Sequence, residues 1–149
     1  MLIERFRIKY FRSILDTQWC LLSPDGVTVL VGQNESGKSS ILEALAKTLS
    51  ADLITAEDTR FDCPLPEMSL QLKLTSDEFK NVCSKLPQEL IVIITDLFKR
   101  KDYRIILKFI WKKSADLEKP YDCDIVLEDN ELFSEIFLIF KNKQRQESP

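Results

Sequence analysis

Apolar and polar residues alternate through LIERFRIKY (2–10), where Ile3, Phe6, Ile8 and Tyr10 broadly oppose Glu4, Arg5, Arg7 and Lys9. That alternation predicts a half-exposed strand. TQWCLL (17–22) predicts a second strand, and Ser-Pro-Asp-Gly at 23–26 predicts a turn. VTVLV (27–31) is a short β-branched apolar run, the pattern of a buried strand. The period then changes. Ile41, Leu42, Leu45, Ala46 and Leu49 recur at helical spacing and predict a helix from Lys38 to Ser50.

Residues 51–66, with Asp, Thr and two prolines, read as a connection. MSLQLKLT (68–75) alternates cleanly as a strand, with Met68, Leu70, Leu72 and Leu74 facing one way. Thr75-Ser76-Asp77-Glu78 supplies capping hydroxyls and first-turn acids, so a helix should run to about Leu86. Pro87 opens another over QELIVIITDLFKR (88–100). Its β-branched centre suits a strand, but Leu90, Ile93, Ile94, Leu97 and Phe98 form one helical stripe, and Lys99, Arg100 and Lys101 suit a helix C-terminus. YRIILKFIW (103–111) and YDCDIVL (121–127) predict a strand pair. LFSEIFLIF (132–140) reads as a short apolar helix and KNKQRQESP (141–149) as a polar tail.

The 149 residues suit one domain or part of a larger one, and 44% hydrophobic with 30% charged residues is an ordinary globular make-up. No apolar run reaches the roughly 18–20 residues of a membrane span. MLIERFRIKYFRS has no long apolar core or small-residue cleavage site, so the expected location is cytoplasmic. A net charge of −3 argues against a wholly basic nucleic-acid binder. Cys20, Cys63, Cys83 and Cys123 form no C-x-x-C pair, and the sequence has no histidine. Those facts argue against structural zinc and exclude histidine-dependent catalysis within this sequence.

The candidate chemistry lies in LVGQNESGKSSI (30–41). Gly32-x-x-x-x-Gly37-Lys38-Ser39 is a full Walker A pattern. Glycines at 32 and 37 permit backbone turns closed to other residues. The loop through Gln33, Asn34, Glu35 and Ser36 can aim successive N–H groups inward as an anion nest, and the following helix adds its positive end. Lys38 would reach the β- and γ-phosphates of ATP, and the Ser39 hydroxyl would ligate Mg²⁺. The chain has three glycines, at 26, 32 and 37, and two of them are in the motif.

LIERFRIKYFRSILD, the apolar run and GQNESGKSSILEAL together resemble the N-terminal portion of SMC/RecF-like ABC-type ATPase heads. The GxNESGKSxxLEAL form, with Glu35 where many relatives have glycine, is most similar to OLD-family (overcoming lysogenization defect) ATPases and their anti-phage relatives. The resemblance is strong over about residues 1–50 and weaker over 60–135. It implies an α/β P-loop NTPase fold with a mixed sheet, and an α+β insertion after the Walker A helix. The implied organisation is a Walker A segment at 1–60, an arm-like segment at 61–140 and a tail at 141–149. It also implies ATP sandwiched between two heads, with Arg12 of YFRS near the nucleotide and Asn34 and Glu35 lining its side of the loop. Ser40 is either a further hydroxyl ligand or a polar residue of the helix start.

Such heads also hydrolyse ATP with a Walker B Asp-Glu, a Mg²⁺-sensing Gln and a glycine-containing signature loop. No glycine follows Gly37, so that signature is not in this sequence. LIVIITD (90–96) ends in Asp96, but Leu97 follows where Glu is required, and DIVLED (124–129) has acids after a thin apolar run. Gln71 lies in a predicted strand. Lys99, Arg100, Lys101, Arg104, Lys108, Lys112 and Lys113 concentrate positive charge, but Asp96, Asp102 and Asp116 interleave it, which favours a solvated face over a nucleic-acid contact. Three functions follow. The first is an ATP-binding segment of a head that is completed by further sequence or a partner chain and acts on DNA in defence or repair. The second is a self-sufficient small NTPase using Asp96 or Asp129. The third is a non-catalytic interaction subunit on a P-loop scaffold. Incomplete sheet edges would favour a protein partner or self-association.

Overall fold

A computed structural model describes residues 1–50, 53–128 and 134. Its elements are β1 (Leu2–Phe11), β2 (Ile14–Asp16), β3 (Cys20–Leu21), α1 (Lys38–Leu49), a 3₁₀ turn (Ala56–Asp58), β4 (Glu67–Lys73), α2 (Ser76–Cys83), α3 (Gln88–Arg100), β5 (Arg104–Lys113) and β6 (Tyr121–Leu127). The strands form one sheet in the order β2-β1-β4-β5-β6, with β3 also on β1. β1 pairs antiparallel with β2, Lys9 opposite Asp16, and with β3, Phe6 opposite Cys20. The architecture is mixed α/β, the class that the alternating and helical periods imply. The predicted apolar segment 132–140 and the tail fall outside the described residues.

The described residues divide into two compact units, one drawn from 3–50, 53–71 and 107–126 and the other from 1–2, 72–106, 127–128 and 134. In the first unit, β1 buries Phe6 and Ile8, two positions apart and so on one face as its alternation requires, and Phe11 is buried at its end, beyond the left-handed Tyr10. The β4 positions Met68, Ser69 and Leu70 are buried in succession, the mark of a central strand covered on both faces. Ile54, Ala44 and Trp111 complete this core. Arg7 holds Asp16 across β1 and β2 through a fork, with Nε–Oδ1 at 2.9 Å and Nη2–Oδ2 at 2.6 Å. That bond to Arg7 pulls the Asp16 carboxyl down to about 2.

The second unit is built on α2 and α3. Phe79, Cys83, Leu90 and Leu97 are buried, and the Phe79 ring lies 4.6 Å from Phe98 and 5.5 Å from Tyr103. The predicted helix over 88–100 is present with those bounds, and the stripe wins over the β-branched IVIIT because Leu90 and Leu97 share its buried face. Asp96, in α3, is paired with Arg100 one turn on.

Two expectations are corrected in the first unit. VTVLV (27–31) is not a strand. Val27, Val29 and Val31 are 69%, 75% and 90% exposed. β-Branched residues favour extended backbone, but a strand also needs a neighbour to take its N–H and C=O groups, and sequence pattern reports only the first condition. The predicted stripe of α1 is also only partly covered, with Ile41 and Leu45 half-buried. Ala44 and Thr48 are its buried residues, and Leu42 and Leu49 are each 59% exposed.

Candidate functional site

The chain leaves the exposed run at 27–31, turns through 33–37 and enters α1 at Lys38. Gly37 is the N-cap, with φ 93°, a left-handed angle that glycine adopts without steric cost. Gly32 plays a different part from the one its motif position predicts, because its φ is not positive. A Cβ there would meet Ser36 Oγ at 2.8 Å, so the smallness of Gly32 leaves that hydroxyl room to face Lys38. Glu35 has φ 65°. A left-handed angle costs a side-chain-bearing residue roughly 1–2 kcal/mol, and a glycine there would not bear that strain.

A cleft of about 350 Å³ is lined by Asn34, Glu35, Gly37, Lys38, Ser39 and Ser40, together with Ser13. The loop has turned inward on its own lysine. Lys38 Nζ donates to the carbonyl oxygens of Gly32, at 2.6 Å, and Gln33, and to Ser36 Oγ at 3.2 Å. Gly32, Gln33 and Ser36 therefore hold the lysine, and the other motif residues line the cleft. The start of α1 carries no side-chain cap and no acid in its first turn. Its positive end is left to whatever occupies the cleft.

Arg12 does not line the cleft, and its neighbour Ser13 does. Sequence reading missed Ser13, whose Oγ would lie 3.7 Å from a Cβ placed on Gly37. The YFRS quartet that flagged Arg12 also contains Ser13, so that signal was present. The Arg12 guanidinium instead reaches Glu43 of α1, at 2.5 Å, and Asp58, at 2.9 Å. Asp58 is fully buried and also accepts from Lys47 Nζ at 2.6 Å and the Thr55 N–H at 2.9 Å. Burial raises its pKa, but Lys47, Thr55 and Arg12 outweigh burial and leave it below the ordinary range. The other acids and the glutamine weighed for catalysis lie elsewhere. Gln71 accepts from Arg5 Nε at 2.6 Å, Asp124 is paired with Lys112, and Asp129 is outside the described residues.

Among the described residues no group of three or more His, Cys, Asp or Glu could hold a metal ion. The oxygen donors on the cleft are the hydroxyls of Ser13, Ser39 and Ser40, the Asn34 amide and the single carboxylate of Glu35, beside the Lys38 ammonium, a set that suits a magnesium ion arriving on phosphate oxygens rather than one caged by protein. No helix among the described residues is long and apolar enough to cross a membrane.

A glycine-bounded Gly-Lys-Ser loop that opens a helix in a mixed α/β domain defines the class of nucleotide-binding ATPase domains. The chain belongs to the AAA ATPase domain family, whose model matches residues 1–149. Membership implies ATP as the ligand. No curated protein matches the chain.

Proposed function

We propose that this chain binds ATP with Mg²⁺ through residues 32–40. On this reading it is the N-terminal portion of an SMC/RecF-like, ABC-type head of the OLD kind. Walker B and signature elements come from further sequence or a partner chain, and the assembled protein couples ATP to a DNA transaction such as phage defence or repair. The observation that carries the reading is the gathering of Asn34, Glu35, Gly37, Lys38, Ser39 and Ser40 around one cleft at an uncapped helix start.

The chemistry follows from those groups. Polyphosphate oxygens replace the Gly32 and Gln33 carbonyls and Ser36 Oγ as acceptors for Lys38 Nζ, and a charged acceptor makes the stronger bond. The N–H groups at the start of α1 face the anion, and the Ser39 hydroxyl takes a place on the metal. Bound Mg²⁺ neutralises phosphate charge. The exposed apolar residues Val27, Val29, Val31, Leu42 and Leu49 support completion by another polypeptide surface, because that much apolar side chain in water favours association.

The test is thermal unfolding with and without MgATP. A ligand at a hundred times its Kd adds about 2.7 kcal/mol, several degrees for a chain of this size. The wild type should gain that shift and Lys38→Ala should not. The same sample should show no steady turnover. Absence of any shift in the wild type sinks the reading, and sustained hydrolysis by a pure monomer favours the self-sufficient NTPase.

A further inference from the structure

We infer that Asp58 is a positioning residue for the nucleotide loop, acting through the Arg12–Ser13 turn; the inference rests on the ATP-binding reading above. Arg12 has φ 50°, a left-handed conformation that is costly for a residue with a Cβ. Such a conformation persists only where its surroundings over-determine it. Three separate bonds do so here. The Arg12 N–H donates to the Asp58 carbonyl at 2.9 Å, and the Arg12 carbonyl accepts from Arg60 Nη1 at 2.7 Å. The Arg12 guanidinium donates from Nε to Asp58 Oδ1 at 2.9 Å. The 58–60 segment thus grips Arg12 by its backbone on both sides and by its side chain.

Ser13, the next residue, is the only cleft-lining residue outside 34–40 among the described residues. Asp58 also fixes the far end of the phosphate helix, since its other oxygen accepts from Lys47 in the last turn of α1 at 2.6 Å. One buried carboxylate therefore ties the turn that carries Ser13 to the helix whose first residues carry the cradle. With Asp58 in place, Ser13 Oγ is held against Gly37. Without its charge, the Arg12 guanidinium keeps exposed Glu43 and the Phe11 ring, 5.4 Å away, but loses its buried ionic partner, and less then offsets the left-handed strain.

MgATP titration calorimetry on the full chain, at a temperature where each variant is folded, tests this. Asp58→Asn keeps the side-chain shape and should raise the Kd roughly tenfold, within the range of coupling between groups that share a network. In an Arg12→Ala, Ser13→Ala background the same substitution should cost less than about twofold, because the turn through which Asp58 acts has lost its side chains. A residue serving only to stabilise the fold would lower the melting temperature in both backgrounds and leave affinity alone. Arg12→Lys leaves the Asp58–Lys47 pair and the charge in place but lacks the fork that spans Glu43 and Asp58. It carries the test without disturbing the core, and should also weaken binding. Wild-type affinity in Asp58→Asn and Arg12→Lys, or equal losses in both backgrounds, overturns the inference while leaving the ATP reading intact. A wild-type chain that does not bind MgATP overturns both.

Discussion

Two helices of this chain begin in opposite ways. α2 starts at Thr75, whose hydroxyl accepts from the Glu78 N–H at 3.2 Å while the Glu78 carboxylate accepts from the Thr75 N–H at 2.9 Å. Asp77 and Glu78 add negative charge to its first turn. The helix satisfies its own orphan donors and its own dipole. α1 starts at a left-handed glycine, with no side-chain cap and no acid in its first turn. A helix start that serves only the fold is completed from within the sequence. One that serves a ligand departs from the local rule and leaves its donors open, and such departures are where function shows.

The contrast can be broken most severely at Gly37. Gly37→Val places a β-branched residue at φ 93°. It should abolish the MgATP-induced thermal shift and lower stability by at least the roughly 1–2 kcal/mol of left-handed strain. Retention of the shift would show that the loop geometry is not what binds. Ser40→Glu gives α1 the first-turn acid it lacks. Its two effects should have opposite signs: an unliganded chain steadier by about 0.3–1 kcal/mol, and MgATP affinity reduced by tenfold or more as like charges meet in the cleft. Melting curves with and without MgATP read both at once. Thr75→Ala, at the other helix start, should cost about 1 kcal/mol while leaving MgATP affinity unchanged.

The smallest effect is in acid. The Glu78 carboxyl lies below its ordinary value of 4.5, held there first by the Met1 amine and then by the Thr75 N–H. A lowered folded-state pKa gives stability that is present above the unfolded value and lost as pH falls through the folded one. Wild type should therefore lose a little stability as pH drops below about 4.5, and Glu78→Gln should flatten that part of the stability–pH curve. An unchanged slope in the variant would remove Glu78 from the account of α2.

The helix starts were legible in the sequence because capping is local. Thr75-Ser76-Asp77-Glu78 and Gly37-Lys38-Ser39 each declare themselves within a few residues. For the same reason six of the seven cleft-lining residues, all in 34–40, could be read from the motif. β4 was legible from alternation, although burial of Ser69 shows a strand covered on both faces where the pattern suggested one. Asp58 was not legible. It sits among Asp, Thr and Pro residues that read as a connection, and its partner Arg12 is 46 residues away. Nor could the sequence say that Val27, Val29 and Val31 would stand in solvent, since apolar side chains announce a need for cover and not its source.

The separation between Arg12 and Asp58 bears on how the cradle comes to exist during synthesis. Lys38 leaves the ribosome 20 residues before Asp58 does, by subtraction of their positions. At about 5–20 residues per second that gap lasts roughly 1–4 s. Throughout it the Gly-Lys-Ser loop has its own lysine to bind but no 58–60 segment to frame it. On the inference drawn above, the loop gains that frame only after the 58–60 segment has been made, although the motif itself is complete 20 residues earlier.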